Sequence, residues 1–338
     1  SAIQDLVNGL NASAGAGTYA FVSAGAPIGT DEIAVGLLYQ PANVIPAGSP
    51  EILDSSVIST FNDTRNRPVL AQTFTDTEII VVDDGSSDGT PEIIESFAAI
   101  DSRVKPVLLR ENTVGGVATA ANTGLDLATG RYVGFVDGDD FCEPTMFAAL
   151  HEAITQQNAD LAMCQYKLLD DNDDSLSDPA DQARWGGLEQ DVYPLSVEQR
   201  KRFLAFVAVP WRKLYRRELL DLQGIRFPVG DYFYEDNPFH WFAILTARSL
   251  AVVPEVLCYH RVQRAGQTMQ TADARLFRIF SHHDTIHAWL DERGLTHEYA
   301  ANLLGWAISQ MEWIAPRTPR ELHRELFDVM RSVVSQYD

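Results

Sequence analysis

At 338 residues the chain is long enough for one large domain or two ordinary ones with a substantial core. Its hydrophobic share of 46% and charged share of 22% are those of a globular protein, yet its formal net charge is −21. So acidic a chain repels nucleic acid and anionic surfaces, which argues against a nucleic-acid partner. Cys142, Cys164 and Cys258 are odd in number and form no CxxC pair, so no disulfide framework or zinc site is expected and a reducing cytoplasm fits. The longest apolar runs, such as Leu250–Leu257, are too short to span a bilayer, and no segment reads as a secretory signal. Membrane contact is expected only peripherally, at the inner face.

Residues 1–74 are rich in Ala, Gly, Ser, Asn and Pro, with short strand-like runs such as Ile33–Tyr39. Regular alternation follows. Strands are predicted at Glu78–Val82, Val104–Leu109, Arg131–Val136 and Asp160–Leu168, and helices at Thr90–Ile100, Gly116–Ala128 and Pro144–Gln157. Such alternation implies an α/β fold whose mostly parallel, Rossmann-like sheet carries helices on both faces and binds ligands at the carboxyl ends of its strands. Asp170–Asp181 reads as a solvated acidic loop. Arg275–Glu292, Tyr299–Trp313 and Pro319–Tyr337 are predicted helices of a helical C-terminal region. His282, His283 and His287 share one of them and read as surface positions. Trp185 and Trp211 are candidates for sugar stacking or for the core.

Two acidic turns follow apolar strands. In Asp83–Thr90 small residues let the chain turn sharply and leave carboxylates at the sheet edge. Asp84, Ser86, Asp88, Gly89 and Glu95 match EF-hand spacing, but the β-branched run Thr77–Val82 before them is not an entering helix. Asp137-Gly138-Asp139-Asp140 suits a hard divalent cation, Mg²⁺ or Mn²⁺, shared with substrate phosphates.

Glu78–Thr90, Gly115–Leu125 and Ala128–Asp140, in this order and spacing, resemble glycosyltransferase family 2. The resemblance continues through Val209–Leu220, Tyr234-Glu235-Asp236 and Tyr259–Thr268, covering about residues 70–290, and implies a GT-A fold. It further implies an inverting transferase moving a sugar from a nucleotide-diphosphate sugar, a UDP-sugar foremost. The acceptor would be a saccharide or lipid-linked molecule in cell-surface polysaccharide synthesis. Carried over residue by residue, Asp83, Asp84 and Asn122 would bind the nucleotide. Asp137 and Asp139 would hold the metal and diphosphate, Asp236 beside Glu235 would be the catalytic base, and Arg261 and Arg264 would meet the departing diphosphate.

The family's opening strand, with its Pro-x-Tyr-Asn-like turn, has no counterpart near residues 45–50. Instead Gly15–Phe21, Gly29–Pro41 and Phe61–Phe74 resemble a slice of a bacterial extracellular nuclease of the endonuclease/exonuclease/phosphatase superfamily, with a join expected at Val69–Phe74. That slice lacks the superfamily's downstream catalytic histidines. The expected organisation is therefore a nuclease-like, β-rich segment at 1–74, a GT-A core at 75–194 and an acceptor-side helical region at 195–338. The alternatives are a metal-dependent nuclease or phosphodiesterase, and a sugar-nucleotide binder without catalysis.

Overall fold

A computed structural model describes Ala20–Phe21, Leu38–Tyr39, Val69 and residues 72–230, 233–263 and 273–337. The chain forms two compact units, Ser1–Thr64 and Arg65–Asp338. In the first, β1 (Ala20–Phe21) pairs antiparallel with β2 (Leu38–Tyr39). Most of the nuclease-like segment lies outside the described residues.

The second unit opens with β3 (Ile79–Asp83), α1 (Thr90–Ile100) and β4 (Val104–Leu108). Pro91 sits in the first turn of α1, where its missing N–H has no helical partner to lose. β3 and β4 pair in parallel as a sheet of their own. Glu78, at the foot of β3, accepts hydrogen bonds from the Thr129 and Gly130 backbone and pairs with Lys105. These partners outweigh its partial burial and hold its carboxyl down at about 2.

Then come α2 (Val117–Leu127), β5 (Tyr132–Gly134), β6 (Phe141–Cys142), α3 (Met146–Gln156) and β7 (Leu161–Asp170). β8 (Leu176–Ser177), β9 (Val192–Pro194), α4 (Val197–Leu204), β10 (Lys213–Arg216) and α5 (Arg217–Leu222) follow. The chain continues with α6 (Asp236–Thr246), β11 (Ser249–Val262), α7 (Ile279–Glu292), α8 (Thr296–Ile314) and α9 (His323–Val334). The seven-stranded sheet runs β5-β10-β7-β11-β6, with β8 against β7 and β9 against β11.

The α/β architecture is as expected, but the sheet is mixed rather than mostly parallel. β7 and β11 pair in parallel, while β10 inserts antiparallel between β5 and β7 and the remaining pairings are antiparallel. β10 arrives from some 45 residues beyond β7, so the local alternation around β5 and β7 carries no trace of it. Among the described residues no strand joins β3–β4 to the larger sheet.

The core surrounds α6, where every residue from Pro238 to Leu245 is buried. Phe227 and Phe239 stack at 4.0 Å, and Tyr215 meets Phe239 edge-on. Helices apolar on all faces belong inside a domain, and this one delivers its N-terminal acidic residues to the interior. Trp185 and Trp211 are both core residues.

Two sequence expectations differ from the structure. Asp181 is no solvated loop residue: it is 1% exposed and pairs with Arg212 at 2.6 Å. Asp171, from the same stretch, pairs with Arg261. His282 and His283 are fully buried rather than on the surface. His282 Nε2 lies 2.7 Å from the Phe233 carbonyl and His283 Nε2 lies 2.7 Å from the Tyr337 hydroxyl.

Candidate active site

β3 ends at Asp83, and Gly85 takes φ +74 to turn the chain away, a conformation glycine adopts without penalty. A Cβ at Gly85 would lie 2.3 Å from the Glu111 carbonyl carbon, so the loop after β4 packs directly on this turn. Asp83 is buried and spends its carboxylate on Ser86, accepting from the backbone N–H at 3.0 Å and the hydroxyl at 2.5 Å. Asp84 Oδ1 accepts from the Thr113 backbone at 3.1 Å and hydroxyl at 2.7 Å. Its Oδ2 faces Gly116, where an added Cβ would come within 3.9 Å.

Asn122 does different work from the nucleotide contact expected of it. Its amide nitrogen donates to the Phe227 carbonyl at 2.8 Å and its oxygen accepts the Phe227 N–H at 2.9 Å. The side chain thus clamps α2 to the loop before α6.

The Asp137–Asp140 turn follows β5 and Phe135-Val136. Burial, followed by the charges of Asp140 and Asp139, pushes the Asp137 carboxyl up to about 7. Asp140 is 3% exposed and held from β11: His260 Nδ1 lies 3.0 Å from each of its oxygens, and the Arg261 backbone N–H donates at 3.0 Å. The Trp211 ring lies parallel to that imidazole at 5.5 Å. Arg261 is itself buried, its guanidinium on Asp171 at 2.5 Å and within 3.5 Å of the Asp139 carbonyl. Arg261 therefore braces the turn through Asp171 and the Asp139 carbonyl. Arg264 lies outside the described residues.

Glu235 and Asp236 stand at the N-terminus of α6 and face this turn. Burial lifts Glu235 to about 7, and the charges of Asp236 and Asp137 add to it. Burial lifts Asp236 to about 6 against the lowering influence of Lys213. Lys213, on β10, is 1% exposed and donates to the Val209 carbonyl at 2.6 Å. Two acidic elements about a hundred residues apart thus lie close enough for their charges to act on one another in a partly desolvated setting.

Among the described residues no group of three or more His, Cys, Asp or Glu side chains forms a self-sufficient metal cage. The burial and crowding at Asp137 nonetheless fit a divalent cation, whose charge would favour the ionised carboxylate that burial and the neighbouring Asp140 and Asp139 disfavour. Substrate phosphates would then supply the remaining oxygens. Sequence reasoning named Asp137, Asp139, Glu235 and Asp236. It missed His260 as a partner of Asp140, and Lys213 beneath Asp236, because each is set by long-range strand pairing.

Residues 60–222 match the profile of glycosyl transferase family 2. The uncharacterized glycosyltransferase EpsJ of Bacillus subtilis is 36% identical over 194 residues, covering 57% of this chain and 55% of that protein. Glycosyltransferase GlyG of Streptococcus pneumoniae is 30% identical over 212 residues, covering 60% of this chain and 66% of that protein. The chain thus spans about half to two thirds of the length of these relatives. The crystal structure of residues 1–349 of S. aureus TarS with UDP-GlcNAc superposes with a TM-score of 0.53 at 23% identity. That superposition covers 65% of this chain and 60% of TarS 1–349, a likeness of fold. Residues 60–222 thus carry a glycosyl transferase family 2 domain, on a GT-A-like α/β fold.

Proposed function

We propose that this domain is an inverting glycosyltransferase that moves a sugar from a nucleotide-diphosphate sugar, a UDP-sugar foremost, to a saccharide or lipid-linked hydroxyl. The observation that carries the reading is the meeting of Asp137 with Glu235 and Asp236, all three with carboxyls lifted towards neutrality. Perturbed carboxyls from separate elements, gathered at the end of a sheet, are the mark of a site built for charge and proton handling.

Asp137 and Asp139 would hold Mn²⁺ or Mg²⁺. When bound, the cation supplies positive charge to a departing diphosphate. Asp83 and Asp84 would border the nucleoside, with Asp84 Oδ2 turned to the Gly116 side. Asn122 shapes that wall by fixing the Phe227 loop. With Arg261 committed to Asp171, contact with the diphosphate falls to Arg264.

A sugar hydroxyl is a weak nucleophile at neutral pH, and Asp236 would accept its proton as it attacks. A carboxyl at about 6 is ionised at pH 7 and still a better base than an ordinary aspartate. One displacement at the anomeric carbon inverts its configuration. The segment Val209–Leu220, with its resemblance to polysaccharide-type members, supports a role in cell-surface polysaccharide synthesis. Residues 1–74 we read as a nuclease-like segment joined to this domain, which genomic sequence across codons 60–85 would test.

Calorimetry with UDP and Mn²⁺ tests the site. Metal-dependent binding, lost in Asp139→Ala and accompanied by transfer from a labelled UDP-sugar, is the expected result. Cleavage of DNA without any UDP binding would overturn the reading in favour of a nuclease.

A further inference from the structure

The loop that carries Glu235 and Asp236 is held from the C-terminal helices at three points. His282 of α7 lies 2.7 Å from the Phe233 carbonyl through Nε2, and the carbonyl can only accept. Tyr234 sits at φ +69, the left-handed region that a bulky side chain avoids unless its surroundings impose it. Its ring meets Trp313 of α8 edge-on at 5.7 Å. Seven residues earlier, on the same face of α8, Trp306 Nε1 donates to Asn237 Oδ1 at 2.9 Å.

That last bond decides which way the Asn237 amide points. An indole N–H is a donor with no acceptor capacity, so the amide must turn its oxygen to Trp306. The amide nitrogen then faces the other way, donating to Asp236 Oδ1 at 3.0 Å and to the Tyr234 carbonyl at 2.9 Å. A flipped amide would set oxygen against carboxylate and lose all three contacts. Proline follows at 238 and the fully buried run of α6 begins there, so the backbone around Asn237 has little freedom to compensate.

We propose that Asn237 and Trp306 are positioning residues that form a relay from α8 to the Asp236 carboxylate, orienting it and stabilising its ionised form. The helices after residue 279 are then part of the base machinery rather than a separate appendage. This rests on the reading of Asp236 as the base, but its test does not depend on transfer activity.

The test is the carboxyl titration of Asp236 in the full chain, followed by NMR with aspartate-selective ¹³C labelling. The resonance is assigned by its disappearance in Asp236→Asn. Removing the donor in Asn237→Ala should move the midpoint upward by about one pH unit. Trp306→Phe, which keeps the aromatic bulk and removes the N–H, should move it in the same direction. The double variant should go no further than Asn237→Ala alone, because the two act in series. Trp289→Phe, an indole stacked on Phe242 rather than bonded to Asn237, should leave the midpoint unchanged. A midpoint unmoved in Trp306→Phe or in Asn237→Ala overturns the relay. Retention of transfer in Asp236→Asn would instead overturn the base assignment, whatever the titration shows.

Discussion

His260 and Asp140 are joined by an imidazole nitrogen 3.0 Å from both carboxylate oxygens, which fastens β11 to the acidic turn 120 residues earlier. Because a carboxylate can only accept, Nδ1 carries the proton. Trp211 stacked on the ring and the Arg261 N–H on the same carboxylate remove the remaining freedom of Asp140. Asp139 lies between this anchored residue and Asp137, so its backbone is set by the same contacts.

His260→Ala should therefore weaken Mn²⁺-dependent UDP binding without touching a nucleotide or metal contact. Removing a ligand's own hydrogen-bond partner costs about tenfold or more in metal affinity; His260 acts one residue away, through Asp140, so a loss of up to about tenfold is expected. Calorimetry at fixed UDP with varied Mn²⁺ measures it. An affinity equal to that of the unaltered chain would show that the turn holds its shape alone.

Asp137, Glu235 and Asp236 give stability an unusual pH dependence. Their folded values of about 7, 7 and 6 lie above the unfolded ones, so between about pH 4 and 7 these three carboxyls bind more protons in the folded chain than in the unfolded one. Their contribution to stability falls as pH rises through that window, while buried His240 and His282, whose values are lowered by burial, act in the opposite sense below about 6.5. His260 acts in the same sense as the carboxyls: its value is raised against the opposing effect of burial, chiefly through Asp140. The stabilisation it contributes is full below about 6.5 and fades as pH climbs through its folded value. Above the histidine window the carboxyls and His260 dominate, so thermal melts should give a higher Tm at pH 6.5 than at pH 8 in the metal-free chain. Mn²⁺ with UDP should narrow the difference by favouring the charged carboxylates. A metal-free Tm that rises over this interval would contradict the burial of these groups.

Asp236→Asn removes the proton acceptor and keeps the shape. Transfer should drop by about 10²–10⁴-fold while UDP binding persists. In the unaltered enzyme kcat/KM should rise with pH through about 6 as Asp236 ionises. A flat profile from pH 5 to 8 would move the base elsewhere, with Glu235 the nearest carboxyl.

Much of the fold was legible because β3 through β7 and their helices follow one another locally, each with its own apolar period and turn. Thr90–Ile100 forms the helix its Pro91 start and apolar spacing require. The mixed character of the sheet was not legible, since β10 is four residues long and takes its place between β5 and β7 by long-range pairing. At the site, acidic residues announce themselves after a strand or before a helix. Asn122 and Arg261 are ligand contacts only by what the family resemblance implies. Only the packing reveals that one holds the Phe227 backbone and the other Asp171. Trp306 reaches Asn237 from 69 residues away, and nothing in its own neighbourhood marks it.

The pair Arg212–Asp181 carries a final prediction. Both side chains are essentially inaccessible, and Asp181 Oδ2 also accepts the Val207 N–H at 2.8 Å. The guanidinium lies among the rings of Tyr166, Trp185 and Phe206, at 5.0, 6.0 and 5.6 Å from their centroids. Removing the carboxylate leaves a buried cation with no counter-charge, and Asp181→Ala should destabilise the chain by about 3–5 kcal/mol in urea unfolding. Arg212→Met with Asp181→Ala should recover part of that loss, because the uncompensated charge goes with the arginine while the aromatic walls still pack on an apolar side chain. A double variant less stable than Asp181→Ala would mean that the guanidinium's contacts with the rings and with the Val207 carbonyl outweigh the burial of its charge.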